Sequence, residues 1–388
     1  MSFFYKVVSR IILRKLTSNF QGNLIIKFPD KSKYIIGNNK NSPYFHIINN
    51  FFLLRVLLNG VSAIGYGYYK GEWKTNNLSY IVRLGLINIK TIKTLKIKES
   101  FLYKIKKVFL LDRENTITKS KKQISFHYDL GNKFYSYWLD KTMTYSSAIF
   151  NNKNISLETA QINKYKSLTS LARINRNNKV LEIGCGWGGF TGYVSKNIGA
   201  NITGITISKN QYDYASSLKQ KNVKIQFLDY RKIKSKYDKI ISIEMFEAVG
   251  KKNWNIFFKV LHESLKRNGL AALQIITINE DLYKYYSMNK DFIQKYIFPG
   301  GMLPTKKIIY NLACSNNLSI IFDKSIGQDY AKTLQIWREN FFSKWNNLES
   351  LGFKKDFKRL WEFYLTYCEE GFRAETINVH QFLIRKSK

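Results

Sequence analysis

Cysteine is scarce: Cys185, Cys314 and Cys368 are the only three, and they lie far apart in a chain of 388 residues. That spacing offers neither a disulfide framework nor a metal-ligating cluster, and it fits a reducing compartment. No secretory leader is expected, because Lys6 and Arg10 interrupt the apolar residues of Met1 to Leu13, Arg14 follows, and no small-residue cleavage site comes after. No membrane-spanning run is expected either. The most apolar stretch, Phe51 to Tyr69, carries Arg55, Asn59, Gly60, Gly65 and Gly67. Acidic residues are few: 27 Asp and Glu stand against 63 Lys and Arg, a formal net charge of +36. Lysine, asparagine and isoleucine dominate, as an AT-rich genome writes them, and that bias accounts for part of the excess. The rest reads as attraction to a polyanion, either nucleic acid or an anionic membrane surface. No recognised nucleic-acid-binding module accompanies it.

What is present is organised around Lys179 to Phe190. An apolar run containing Glu182 stops at Gly184, Gly186, Gly188 and Gly189, which reads as a buried parallel strand ending in a tight turn. Glycine suits a turn where positive φ and close approach of a ligand to the backbone are both needed. A helix from Phe190 to Asn197 follows, with its free N–H groups beneath that ligand. Strand-like runs at Ile202 to Ile207, Val223 to Leu228, Lys239 to Ile243 and Leu270 to Thr277 alternate with helical patterns. A helix from Leu157 to Ile174 precedes them. The alternation predicts a parallel α/β sheet with helices on both faces. A hydrophobic content of 45% over this length is enough for two domains. Residues 1–118 form the first, with a strand at Asn23 to Asp30, a hairpin partner at Lys33 to Gly37, a helix over Phe51 to Asn59 and a glycine-interrupted aromatic stretch over Val61 to Trp73. A basic linker spans 119–124, and residues 125–388 form the second domain.

The ligand on this sheet is narrowed by what is missing. A dinucleotide fold wants a carboxylate closing the second strand, but Gly204 to Gln211 has none. A P-loop is excluded, since no Gly-Lys-Ser/Thr follows the turn. Asp229, just past the third strand, is placed either to accept an adenine amine or to cap the helix at Tyr230.

Several uncommon motifs in register then resemble the cyclopropane fatty acid synthases, from about residue 20 to the C-terminus. They are His127-Tyr128-Asp129-Leu130-Gly131-Asn132, Thr144-Tyr145-Ser146, Leu181 to Gly189, Gly204 to Ser208, Met245 to Gly250, Tyr296 to Gly301 and Tyr364 to Arg373. Gly65 to Trp73 is similar to that family's small lipid-associated domain. The resemblance implies a Rossmann-like class I S-adenosylmethionine-dependent methyltransferase sheet preceded by a small α+β domain, with a helical lid at about 279–303. It implies methyl transfer onto the cis double bond of an acyl chain in a membrane phospholipid, at the inner surface of the cytoplasmic membrane. S-adenosylmethionine would be held by His127, Tyr145, Ser146, Gly184, Cys185, Gly186, Trp187, Gly188, Thr206, Ser208, Gln211, Asp229 and Tyr230. A bound bicarbonate would be the base, held by residues matching Cys185, Glu247, Gln274, Ile276 and Tyr330, and Cys368 matches a cysteine often marked as active. No metal is implied, and a homodimer stays open.

Each of these residues also has a plainer reading. Glu247 would cap the next helix, Tyr330 would be half-buried, Cys185 would pack the turn, and Cys368 would fill core. His127 would open a helix, Trp337, Trp361 and Phe372 fall at core spacings, and the lid would be an extra packed helix. Gln274 departs from one common version of the pattern, which has histidine there, and Ala248 stands where a histidine often follows the glutamate. An amide donates to an anion but relays no proton. That leaves methyl-branched acyl chains, or another lipid or small molecule, as alternative outcomes, with a non-catalytic basic binding protein as a third.

Overall fold

The computed structural model describes residues 20–37, 42–89, 130–152 and 154–386, arranged in two compact units. His127 and the 119–124 segment lie outside the described residues.

The first unit takes in Met1–Arg113, Asn289–Ile297 and Glu349–Ala374. Its small sheet holds β1 (Leu24–Lys27), β2 (Lys33–Ile36), β3 (Tyr44–Ile47) and β4 (Trp73–Lys74) in the order β2-β1-β3-β4. The expected hairpin is present, with Leu24 opposite Ile36, and β3 adds to β1 in parallel. The glycine-interrupted aromatic stretch becomes a helix, Ser62–Tyr69. A Cβ at Gly65 would stand 2.4 Å from the ring of Phe292 and 2.6 Å from that of Phe363. Glycine there is a packing requirement, since the rings take the place of a side chain. The helix Lys355–Arg373 is held to Leu78–Ile87 by Arg83, which grips the buried Glu370 carboxylate at 2.7 and 3.1 Å.

The second unit takes in Glu114–Met288, Phe298–Leu348 and Glu375–Lys388. Its strands are β5 (Lys179–Ile183), β6 (Asn201–Thr206), β7 (Val223–Phe227), β8 (Tyr237–Ile243), β9 (Leu265–Ile278), β10 (Leu318–Ser325) and β11 (Ile377–Lys386). They lie in the order β10-β11-β9-β8-β5-β6-β7. The strands β5 to β9 pair in parallel, as the alternation predicts. The sheet then closes with an antiparallel pair, β10 and β11, beside β9. The sheet is therefore mixed, a departure from the all-parallel expectation. Period two along β5 sends Val180 into one apolar cluster with Tyr165 and Phe190, and Leu181 and Ile183 into the other with Phe246 and Phe257. Helices accordingly cover both faces. The chain reverses its direction of winding between β6 and β8, on either side of β5, which opens a crevice at the C-terminal ends of these strands. Among the described residues no helix is long and apolar enough to cross a membrane.

Candidate active site

The turn after β5 has the conformation its glycines imply: Gly184, Gly186 and Gly188 have φ of +81°, +54° and +86°. The N–H groups of Gly184 and Cys185 both donate to the Ile205 carbonyl, at 2.9 and 3.0 Å, which ties the turn to β6. A Cβ at Gly184 would meet the Met245 side chain at 2.7 Å, whereas one at Gly186 would meet nothing within 4 Å among the described residues. The space beside Gly186 is thus open, and the helix Gly189–Asn197 starts behind it with its first amides unpaired by the helix itself. Trp187 is buried and held in place, donating its indole N–H to Asn132 at 2.8 Å and packing on Tyr135.

At the end of β6 the Thr206 hydroxyl donates to the Gln211 side chain at 2.9 Å and accepts the Ser208 N–H at 3.2 Å. Ser208 caps the helix Lys209–Ser217. At the end of β7 the capping role weighed for Asp229 is present: its carboxylate accepts the Arg231 N–H at 2.9 Å and pairs with the guanidinium at 2.7 Å. Tyr230 packs on Phe257, and its buried hydroxyl has no hydrogen-bond partner among the described residues. Burial pushes that hydroxyl's pKa up to about 12. An open backbone cradle and a buried hydroxyl lacking a partner suit a ligand with polar edges, because an unmet buried hydroxyl costs roughly 1–3 kcal/mol.

The segment before the helix Leu157–Leu171 brings Tyr145 and Ser146 to the same strand ends. Tyr145 sits in an aromatic wall, its ring 5.5 Å from Tyr135, 5.5 Å from Trp138, 5.2 Å from Trp337 and 6.4 Å from Phe298. Trp337 is fully buried, as its helical spacing predicts, and joins this wall to Tyr330. The Ser146 carbonyl accepts from Gln161 at 3.0 Å and its hydroxyl from the buried Lys164 ammonium at 2.7 Å.

Beyond β8 two carboxyls interact, Glu247 buried and Glu244 half-buried. Glu244 has φ of +50°, in the left-handed region, and its Oε1 accepts the Ser147 N–H at 2.9 Å and the Gln274 amide at 2.7 Å. Tyr330 also hydrogen-bonds to Glu244, whose pKa is raised by burial. Glu247 lies in the 3-10 turn Phe246–Val249; its Oε1 accepts the Ile276 N–H, and its buried Oε2 has no partner among the described residues. Burial first, and the Glu244 charge second, push Glu247 up to about 8. It is therefore a group able to hold or release a proton near neutrality. The Glu247 carbonyl accepts the Met302 N–H at 2.9 Å, so the 298–303 arm of the expected lid is fastened to this residue. Gln274 is committed on both sides, donating to Glu244 and accepting from Gln381 at 2.9 Å. The Cys185 thiol is buried in the turn, and burial keeps it protonated. Cys368 belongs to the first unit, on the helix Lys355–Arg373, where burial and Asp291 raise its pKa in the same sense. A protonated thiol is a poor nucleophile.

The structure thus gathers Tyr145, Ser146, the glycine turn, Thr206, Ser208, Gln211, Asp229, Tyr230, Glu247, Gln274, Ile276 and Tyr330 within one unit. Lys164 and Glu244 do not stand out in the sequence. Each carried a signal: Lys164 falls in the buried stripe Leu157, Ala160, Gln161, Lys164, Tyr165, Leu168, and Glu244 directly ends a parallel strand. Among the described residues no group of three or more His, Cys, Asp or Glu side chains is arranged to hold a metal.

Comparison with known proteins agrees with this architecture. The family model for mycolic acid cyclopropane synthetase matches residues 115–382. The tuberculostearic acid methyltransferase UfaA1 of Mycobacterium tuberculosis is 33% identical over 349 residues, spanning 86% of this chain and 81% of the relative. The cyclopropane-fatty-acyl-phospholipid synthase of Escherichia coli K12 is 31% identical over 386 residues, spanning 93% and 95%. The crystal structure of mycolic acid cyclopropane synthase CmaA1 with SAH and CTAB superposes with a TM-score of 0.65 at 28% identity, over 69% of this chain and 98% of that one. The chain belongs to the cyclopropane synthase family of lipid-modifying, S-adenosylmethionine-dependent methyltransferases.

Proposed function

We propose that the chain methylates the cis double bond of unsaturated acyl chains in membrane phospholipids and closes a cyclopropane ring. The observation that carries this reading is an aromatic wall, Tyr145, Trp138 and Trp337, joined through Tyr330 and Glu244 to a buried carboxyl, Glu247, whose Oε2 has no partner among the described residues. Bound S-adenosylmethionine supplies an electrophilic methyl group. Gly184, Gly186, Thr206, Gln211, Asp229 and Tyr230 hold and orient it. An alkene is a weak nucleophile, so the acyl chain must be positioned with water excluded, which the apolar wall favours. Methylation leaves positive charge on the acyl chain, and an aromatic face stabilises a cation by about 0.5–2 kcal/mol in a dry site.

The remaining step removes a proton from the added methyl, and bicarbonate is the base proposed for it. Glu247 would meet that anion directly, and Tyr330, Ile276 and Cys185, whose hydrogen bonds go to Glu244, Glu247 and Ile205, would line its site. A carboxyl still protonated near neutral pH donates a hydrogen bond where an ionised one would repel. Gln274 acts one step back, because its amide is spent on Glu244 and Gln381. That commitment, and a relative named for tuberculostearic acid, favour a second reading in which the proton leaves a chain carbon instead and a methyl-branched alkene results. Lipids from a host expressing the chain distinguish the two by mass spectrometry before and after a mild hydrogenation that saturates an alkene and spares a cyclopropane ring. Cyclopropanation adds one CH2 and removes the double bond, whereas branching adds the same mass and keeps a double bond. Unchanged acyl chains overturn both readings.

The substrate lies in a bilayer, and the formal charge of +36 fits docking on an anionic membrane face. Binding to anionic vesicles should therefore weaken steeply from low to high salt, as the screening length shortens from about 30 Å to about 8 Å. Equal sedimentation with neutral and anionic vesicles would leave the charge to genome composition.

A further inference from the structure

Lys164 is a buried ammonium with no evident structural excuse. It lies on the apolar stripe of the helix Leu157–Leu171 and is fully buried. Its hydrogen bond goes to the Ser146 hydroxyl, at 2.7 Å, rather than to a carboxylate. The acids that face it electrostatically are Glu244, Asp140 and Glu182, and the ring of Tyr165 lies 4.9 Å below. An ammonium has only donors, so the Ser146 oxygen must accept, and the hydroxyl proton is forced to point elsewhere. Among the described residues no acceptor takes that proton.

We infer that Lys164 is a positioning residue that turns the Ser146 hydroxyl into a fixed donor for the carboxylate of the cofactor's amino-acid end. The inference rests on Ser146 belonging to the S-adenosylmethionine site. A hydroxyl that already accepts from a buried cation is polarised as a donor, and the anion it meets also feels the positive charge behind it. The sulfonium end of the same cofactor gains nothing from this cation. The arrangement therefore recognises the amino-acid portion and is indifferent to the nucleoside portion. Mere packing by Lys164 would support both portions alike.

Two ligands separate those cases. S-adenosylhomocysteine carries the carboxylate, and 5′-methylthioadenosine has the same nucleoside and thioether without it. Calorimetry on the full chain with each ligand first establishes the parent affinities; a parent that binds neither would count against the cofactor site itself, apart from this inference. In Lys164→Gln the affinity for S-adenosylhomocysteine should fall by about tenfold or more, the scale of one charge-assisted hydrogen bond. The affinity for 5′-methylthioadenosine should change by less than about twofold. Ser146→Ala, which leaves the buried lysine in place, should reproduce this selective loss, and it decides the matter if Lys164→Gln does not fold. The double variant should lose no more than Ser146→Ala alone, since the two groups act as one. Equal losses for both ligands, undiminished affinity for S-adenosylhomocysteine, or additive losses in the double variant each overturn the inference.

Discussion

Gly186→Val should lower the affinity for S-adenosylmethionine by on the order of 10²-fold or more, the equivalent of about 3 kcal/mol of lost contact. Two effects act together. Among the described residues a Cβ built at Gly186 meets no atom within 4 Å, so the added branch enters the space beside the turn instead of the core. The φ of +54° is one that a β-branched residue avoids, and holding it there costs about 1–3 kcal/mol. Gly186→Ala lessens both effects, since its lone methyl is smaller and is strained less than a β-branched side chain at this φ, so it should remain folded and still bind weakly. Gly184→Ala is the contrast. Its Cβ would lie 2.7 Å from Met245 Cγ and 2.9 Å from Met245 Cβ, near the root of that side chain, so it should lower the melting temperature before binding is considered. Calorimetry and thermal melts on the three variants separate the cases. A folded Gly186→Val protein with parental affinity would remove the turn from the cofactor site.

The contrast between these glycines shows what a sequence can and cannot disclose. That Gly184, Gly186 and Gly188 take positive φ is legible, because an apolar run ending in glycines before a helix admits few other conformations. Which glycine is needed by the fold and which by the ligand is not legible, since it depends on Met245 arriving from the end of another strand. The same holds for Gly65, whose neighbours Phe292 and Phe363 are more than two hundred residues away. The parallel core strands were readable from alternating apolar runs. The antiparallel β10 and β11 were not, because Asp323, Lys324, His380 and Gln381 break their apolar pattern. Segments 289–297 and 349–374 join the first unit through tertiary packing, which no local composition signals. Lys164 and Glu244 escaped notice for a related reason: a charged residue reads as solvated until its burial is seen.

Glu247 is where the chemistry is most exposed to test. Glu247→Gln keeps the shape and the hydrogen bond from Ile276 to a side-chain oxygen, but an amide neither yields nor takes up a proton. Turnover should fall by about 10²-fold or more, the usual scale for losing a positioned base, because the weaker amide donor no longer seats the bicarbonate, while S-adenosylhomocysteine affinity stays near the parental value. The carboxyl is held by burial, and then by Glu244, at about 8 instead of its ordinary 4.5. The unfolded chain releases this proton near 4.5 and the folded one keeps it until about 8, so the folded state binds more protons across that window. The parent should therefore lose stability as pH rises from 4.5 to about 8, and Glu247→Gln should lose less, which widens the melting gap in favour of the variant toward alkaline pH. The parental rate should also change through pH 8, with no such inflection in the residual activity of the variant. Added bicarbonate should stimulate the parent and rescue the variant poorly. If Glu247→Gln makes cyclopropane lipid at the parental rate in bicarbonate-depleted buffer, neither the carboxyl nor the anion supplies the base. The framework of Gln274, Gln381 and Glu244 would then mark an enzyme that releases its proton from the acyl chain, with a branched alkene as the product.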